Sequence, residues 1–102
     1  MVSEPVIERI DADLEPLMPR FFNNTRKEAL LMREALAAGD MASLVRMGHT
    51  AKGTGYGYGM RTMGDLGREL ETAAKAGDAA GCGDVIERMV HYLDTVVVEL
   101  RS

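Results

Sequence analysis

Two triplets, Ala38-Gly39-Asp40 and Ala76-Gly77-Asp78, punctuate this chain, each closing an alanine-rich run. Glycine adopts the left-handed backbone that ends a helix, and an aspartate directly after it is placed to cap the first amides of the next. Each triplet is therefore a helix stop and a helix start with only a tight turn between. A chain of 102 residues cut in this way is driven toward antiparallel helices packed around one core.

The apolar spacing agrees. Leu14, Leu17, Met18, Phe21 and Phe22 keep helical phase, with Asp13 or Glu15 as cap, Pro16 tolerable in the first turn and Pro19 shortening or bending the segment. Asn23-Asn24 breaks or relaxes the helix before Ala29, Met32, Ala35 and Leu36 resume the pattern up to Gly39. A third helix runs from Asp40 toward Gly55. There Gly55-Tyr56-Gly57-Tyr58-Gly59 is expected to fray or end it, since each interior glycine costs about 0.5 to 1 kcal/mol relative to alanine. A fourth begins near Met60 with Met63, Leu66, Gly67, Leu70 and Ala74 on one face, and ends by Gly77.

The last helix is read as opening at Asp84, spaced from Glu87 like a capping box, and as carrying Ile86, Val90, Leu93, Val97 and Leu100 into the core. Val96-Val97-Val98 favours a strand, but one short run without a visible partner makes no sheet, so helical phase is preferred. Val6–Ile10 fits an extended or a helical segment equally. The expected fold is all-α: an up-down-up-down antiparallel four-helix bundle with a short extra N-terminal helix, a single domain over 1–102 whose residues 1–12 are loosely ordered.

Composition excludes several functions. The length leaves no room for an ATP-binding kinase domain. A formal net charge of −4 with dispersed Lys and Arg argues against nucleic-acid binding. The single cysteine, Cys82, excludes an intrachain disulfide and a cysteine-rich zinc site, and reads as an incidental loop residue. No run approaches the roughly 20 apolar residues that cross a bilayer, and the first residues do not resemble a signal peptide, so a cytoplasmic, membrane-free protein is expected. Gly53–Gly59 lacks the preceding strand and the Gly-Lys-Ser/Thr ending of a phosphate-cradling loop. His91 reads as a partly buried structural residue, and the methionines as core filler.

His49 is different. On a helical projection Leu44, Met47, Gly48, Ala51 and Gly55 share one stripe, and His49 falls about 140° from Leu44. Arg46 and Gly53 lie on its far side, Lys52 and Tyr56 on its near side. The imidazole therefore points to water among cations. A neutral imidazole is a nucleophile near pH 7, and Lys52 as a like charge disfavours its protonation while offering support to the oxygens of a transferring phosphoryl group. Arg46 adds to the same field, Gly53 removes bulk one turn on, and Tyr56 rims the surface that a partner would meet.

His49-Thr50-Ala51-Lys52-Gly53, with Gly59 beyond, resembles the His-x-x-Lys-Gly signature of the histidine-containing phosphotransfer (HPt) family. The likeness extends to Ala35–Asp40 and to Leu66-Gly67-Arg68-Glu69-Leu70-Glu71, covering roughly Leu14 to Leu100. Ala51 is smaller than is usual there, and the glycine run is richer. The resemblance implies a free-standing phosphorelay intermediate in which His49 accepts a phosphoryl group from a receiver-domain aspartate or a sensor histidine kinase and passes it to a receiver aspartate, with Lys52 as electrostatic support and Arg46, Gly53 and Tyr56 at the docking face. It implies a phosphocarrier rather than an enzyme, a monomer without cofactor or metal, the magnesium ion belonging to the partner receiver. The rival readings are a helical adaptor that binds a receiver without being phosphorylated, and a small hydrolase using His49 as general base. The second requires a carboxylate beside His49, where the adjacent turns supply cations.

Overall fold

The computed structural model describes residues 5–102; what the sequence led one to expect of the first four lies outside them. Strand β1 (Ile7–Asp11) leads through a 3₁₀ helix (Ala12–Leu17) into four α-helices, α1 (Met18–Ala37), α2 (Met41–Tyr58), α3 (Arg61–Lys75) and α4 (Ala79–Thr95), and the chain closes on β2 (Val97–Arg101). α1 packs on α2 and α4, and α3 on the same two helices, which closes the bundle into a ring. The three turns occupy only residues 38–40, 59–60 and 76–78, so neighbouring helices run antiparallel as expected.

Both Gly-Asp junctions end one helix and cap the next. Gly39 and Gly77 take φ of 70° and 69°, and Asp40 and Asp78 accept hydrogen bonds from the amides of Ser43 and Gly81. Asp78, not Asp84, therefore opens α4; Asp84 lies inside that helix and pairs with Arg88 at 2.9 Å. Cys82 consequently sits on a helix face, fully buried, rather than in a loop. His91 is exposed, because α4 turns Met89, Tyr92 and Leu93 inward instead.

At the start of the bundle, Asp11 caps the 3₁₀ helix by accepting from the Asp13 amide. Pro19 then stands in the first turn of α1, where a missing N–H costs nothing, so α1 starts cleanly and runs unbroken through Asn23-Asn24. Its Phe21 ring meets Tyr58 of α2 at 4.9 Å.

The main departure is a two-stranded parallel sheet. α4 ends at Thr95, Val96 turns extended, and Val97–Arg101 pairs in register with Ile7–Asp11. The open choice for Val6–Ile10 resolves to a strand, within a segment expected to be loose. The β-branched run 96–98 finds a partner ninety residues away, which no local pattern discloses. Val97 and Leu100, expected in the core, are exposed on β2, whereas Ile10 of β1 is fully buried. From the same strand the buried Glu8 carboxylate accepts hydrogen bonds from the Thr62 amide at the start of α3 and from the Tyr92 hydroxyl of α4. Met60, at the cap position of α3, offers no side-chain acceptor, so the strand supplies one.

Gly59 takes φ of 80° and ends α2, so the helix persists three residues beyond Gly55. The reason lies across the interface. A Cβ at Gly55 would strike the Gly64 backbone, one at Gly67 the Lys52 amide and the Gly48 carbonyl, and one at Gly48 the Glu71 amide at 2.6 Å. α2 and α3 thus touch backbone to backbone through four glycines, and packing outweighs propensity. Gly57, by contrast, faces open space. Gly67→Ala should destabilise the protein by about 1–3 kcal/mol through overpacking, while Gly57→Ala should stabilise it by about 0.5–1 kcal/mol; chemical unfolding of the two variants measures both.

Candidate functional site

The face of α2 carries Arg46, His49, Lys52, Gly53 and Tyr56, as the helical projection requires, with Leu44, Gly48, Ala51 and Gly55 buried behind them and Met47 half-buried. The His49 side chain is 68% exposed. The new element is Glu71 of α3. Its carboxylate side chain is only 11% exposed, and its Oε2 lies 3.1 Å from His49 Nδ1 while its Oε1 accepts a 2.9 Å hydrogen bond from Lys52 Nζ. Lys75, one turn further along α3, approaches Oε2 at 3.4 Å.

Glu71 stands in phase with the buried stripe Met63, Gly67, Leu70 and Ala74. An acidic residue in that register was the available signal, and sequence reading passed over it by treating only the flank as a whole. The backbone contact at Gly48 brings the Glu71 main chain against the turn that bears His49, so the carboxylate reaches both His49 and Lys52.

The hydrogen bond from Lys52 holds the Glu71 carboxyl down at about 2, against an ordinary 4.5; near-burial opposes the shift, and the charges of Lys52 and Lys75 reinforce it. At neutral pH the group is an ionised, acceptor-only carboxylate. A 3.1 Å contact to Nδ1 then has Nδ1–H as the donor, so in the neutral ring the lone pair is on Nε2. The arrangement selects one tautomer of an exposed imidazole.

The remaining expected site residues lie on the same face but not in contact with the imidazole through any recorded bond. Arg46 donates to Ser43 Oγ at 3.0 Å. Gly53 has nothing within 4 Å of a would-be Cβ, so the surface beside His49 is open. The Tyr56 ring covers Gly64, its hydroxyl donates to Asp65 at 2.5 Å, and 43% of the residue remains exposed. Among the described residues no group of three His, Cys, Asp or Glu is arranged to hold a metal ion, and no helix is long and apolar enough to cross a membrane.

The sequence model of the Hpt domain matches residues 16–101. The chain belongs to the Hpt domain family. This Hpt domain therefore falls in phosphotransfer within phosphorelay signalling, where such modules act as phosphocarriers rather than catalysts and work with receiver domains and kinases. The match takes in all four helices but begins beyond β1. No curated protein and no solved structure matches the chain.

Because the folded carboxyl of Glu71 titrates below its unfolded value, its contribution to stability is complete above pH 4.5 and is lost as pH falls toward about 2. Acid unfolding of Glu71→Gln should consequently show a shallower loss of stability across that window than the parent, as read by circular dichroism at a series of pH values.

Proposed function

We propose that His49 is the phosphoryl carrier of this Hpt domain and that it attacks through Nε2. The observation that supports this most directly is the Nδ1 contact to an ionised Glu71 on an otherwise exposed ring. In the forward step the Nε2 lone pair attacks the phosphorus of a receiver phosphoaspartate. The Nε2–P bond forms, the P–O bond to aspartate breaks, and the carboxylate departs with the electron pair. The imidazole then carries a positive charge with its Nδ1 proton in place, opposite the negative charge of Glu71. In the onward step a receiver aspartate oxygen attacks phosphorus and the N–P electron pair returns to Nε2. No proton has to leave the ring in either direction, so the exchange is a matter of positioning and charge.

Lys52 has two tasks in this reading. It keeps Glu71 ionised, and its side chain, 31% exposed, offers its ammonium beside the path of the phosphoryl oxygens. Gly53 leaves room for the receiver to close, and Arg46 and Tyr56 border the contact. The receiver supplies the acidic pocket and the magnesium ion; this chain needs neither metal nor cofactor. Receivers downstream and a sensor histidine kinase upstream are the proposed partners of a cytoplasmic monomer.

The test is incubation with a phosphorylated receiver, followed by analysis of this chain for acid-labile, base-stable label. Label is expected on the parent and absent from His49→Gln; label persisting in that variant would overturn the assignment. Unlabelled parent that still binds the receiver would leave a phosphorylation-independent adaptor. Glu71→Gln should slow transfer on the order of 10- to 100-fold by removing the charge opposite the ring, and Lys52→Ala should slow it while leaving the helical signal intact.

A further inference from the structure

A second polar site lies away from His49, where the sheet meets the junction between α2 and α3. A cavity of about 480 Å³ is lined there by Ile7, Glu8, Arg9, Gly59, Arg61 and Arg101. Its three arginines come from three different elements: β1, the first residue of α3 and the last residue of β2. That convergence occurs in a chain of net charge −4, and only because the unanticipated strand pairing carries residue 101 back to the start of the fold.

The charges in the wall are incompletely balanced. Arg9 pairs with Glu99 at 3.1 Å. Among the described residues no carboxylate lies within ion-pairing distance of Arg61 or Arg101. Glu8 contributes a negative group, but its Oε2 is already engaged by the Thr62 amide and the Tyr92 hydroxyl. The α3 amide it occupies is therefore not available to a ligand, and the site rests on the arginines. Gly59 leaves its part of the wall without a side chain.

We infer that Arg9, Arg61 and Arg101 form a binding site for a condensed phosphate, a chain of two or more phosphoryl units. A guanidinium presents its donors as a planar fork that matches phosphate oxygens two at a time, so three forks around one cavity suit a ligand with oxygens in several directions. The volume lies within the range of small-molecule sites, about 300–1,000 Å³, and exceeds the needs of a single phosphate. With only Ile7 as an apolar wall, the cavity provides no platform for a nucleobase. This site is independent of the chemistry at His49.

Titration of the unmodified protein with inorganic pyrophosphate at constant ionic strength, followed by nuclear magnetic resonance, tests the assignment. Saturable 1:1 shifts at the Arg9, Arg61 and Arg101 side-chain N–H groups and at the Gly59 amide are expected, with orthophosphate and citrate binding more weakly. Arg61→Gln combined with Arg101→Gln should weaken pyrophosphate binding by about tenfold or more, as the loss of charged hydrogen bonds implies. Shifts that do not saturate, equal binding of citrate, or shifts centred on Arg46 and Lys52 would each overturn the proposal. Mapping on the parent chain decides the matter even where the double variant fails to fold.

Discussion

The backbone contact between α2 and α3 is the constraint on which the site depends. Helix axes normally stand apart by the thickness of their side chains, at about 8–10 Å. Here glycines at 48, 55, 64 and 67 remove those side chains from both partners; main-chain atoms fill the space at 48, 55 and 67, and the Tyr56 ring fills it at 64. Glu71 can then be nearly buried and still touch His49 and Lys52, because its own amide lies against Gly48. A larger residue at 48 or 67 would separate the helices and lengthen those bonds. The dense glycine content around the histidine is therefore a packing device.

This also explains what sequence reading reached and what it missed. The four-helix bundle, the Gly39-Asp40 and Gly77-Asp78 turns and the exposure of His49 follow from short-range rules of capping and periodicity, and they were legible. The persistence of α2 past Gly55 was not, because propensity treats a glycine by itself. Gly48 and Gly55 are seven residues apart, two helical turns, and Gly64 and Gly67 are three apart, so each pair lies on one face. Read as facing pairs, these glycines do predict close approach. Likewise Glu71 shares the phase of the α3 core stripe, and an acidic residue in that register demands a partner.

The strand pair belongs to another category. β1 and β2 lie at opposite ends of the sequence, and each alone is a short run that could continue a helix or extend. What makes the extended state worthwhile is long-range: the ladder satisfies backbone groups, Ile10 enters the core, and Glu8 reaches the uncapped start of α3. Asp84 was a plausible helix start for a related reason. Its spacing to Glu87 satisfies a capping pattern, but Asp78 follows a glycine that has already turned the chain, and the first adequate cap after a turn takes the helix.

A carboxylate beside an imidazole is also the mark of a general base, so its presence bears on the hydrolase alternative. Three features separate the two chemistries. A general base acts on a proton of a bound substrate or water, which requires a pocket that positions it, whereas the His49 side chain is 68% exposed on the surface of α2. The orienting carboxylate of such a base strengthens it most when its charge is devoted to the imidazole. Glu71 instead divides its charge among His49, Lys52 and Lys75. Finally, the open surface at Gly53 suits the proposed carrier, which would enter another protein's active site rather than enclose a substrate in its own. An oriented, accessible ring is what the proposed carrier role requires, since the imidazole has to reach phosphorus inside a partner and give the group up again.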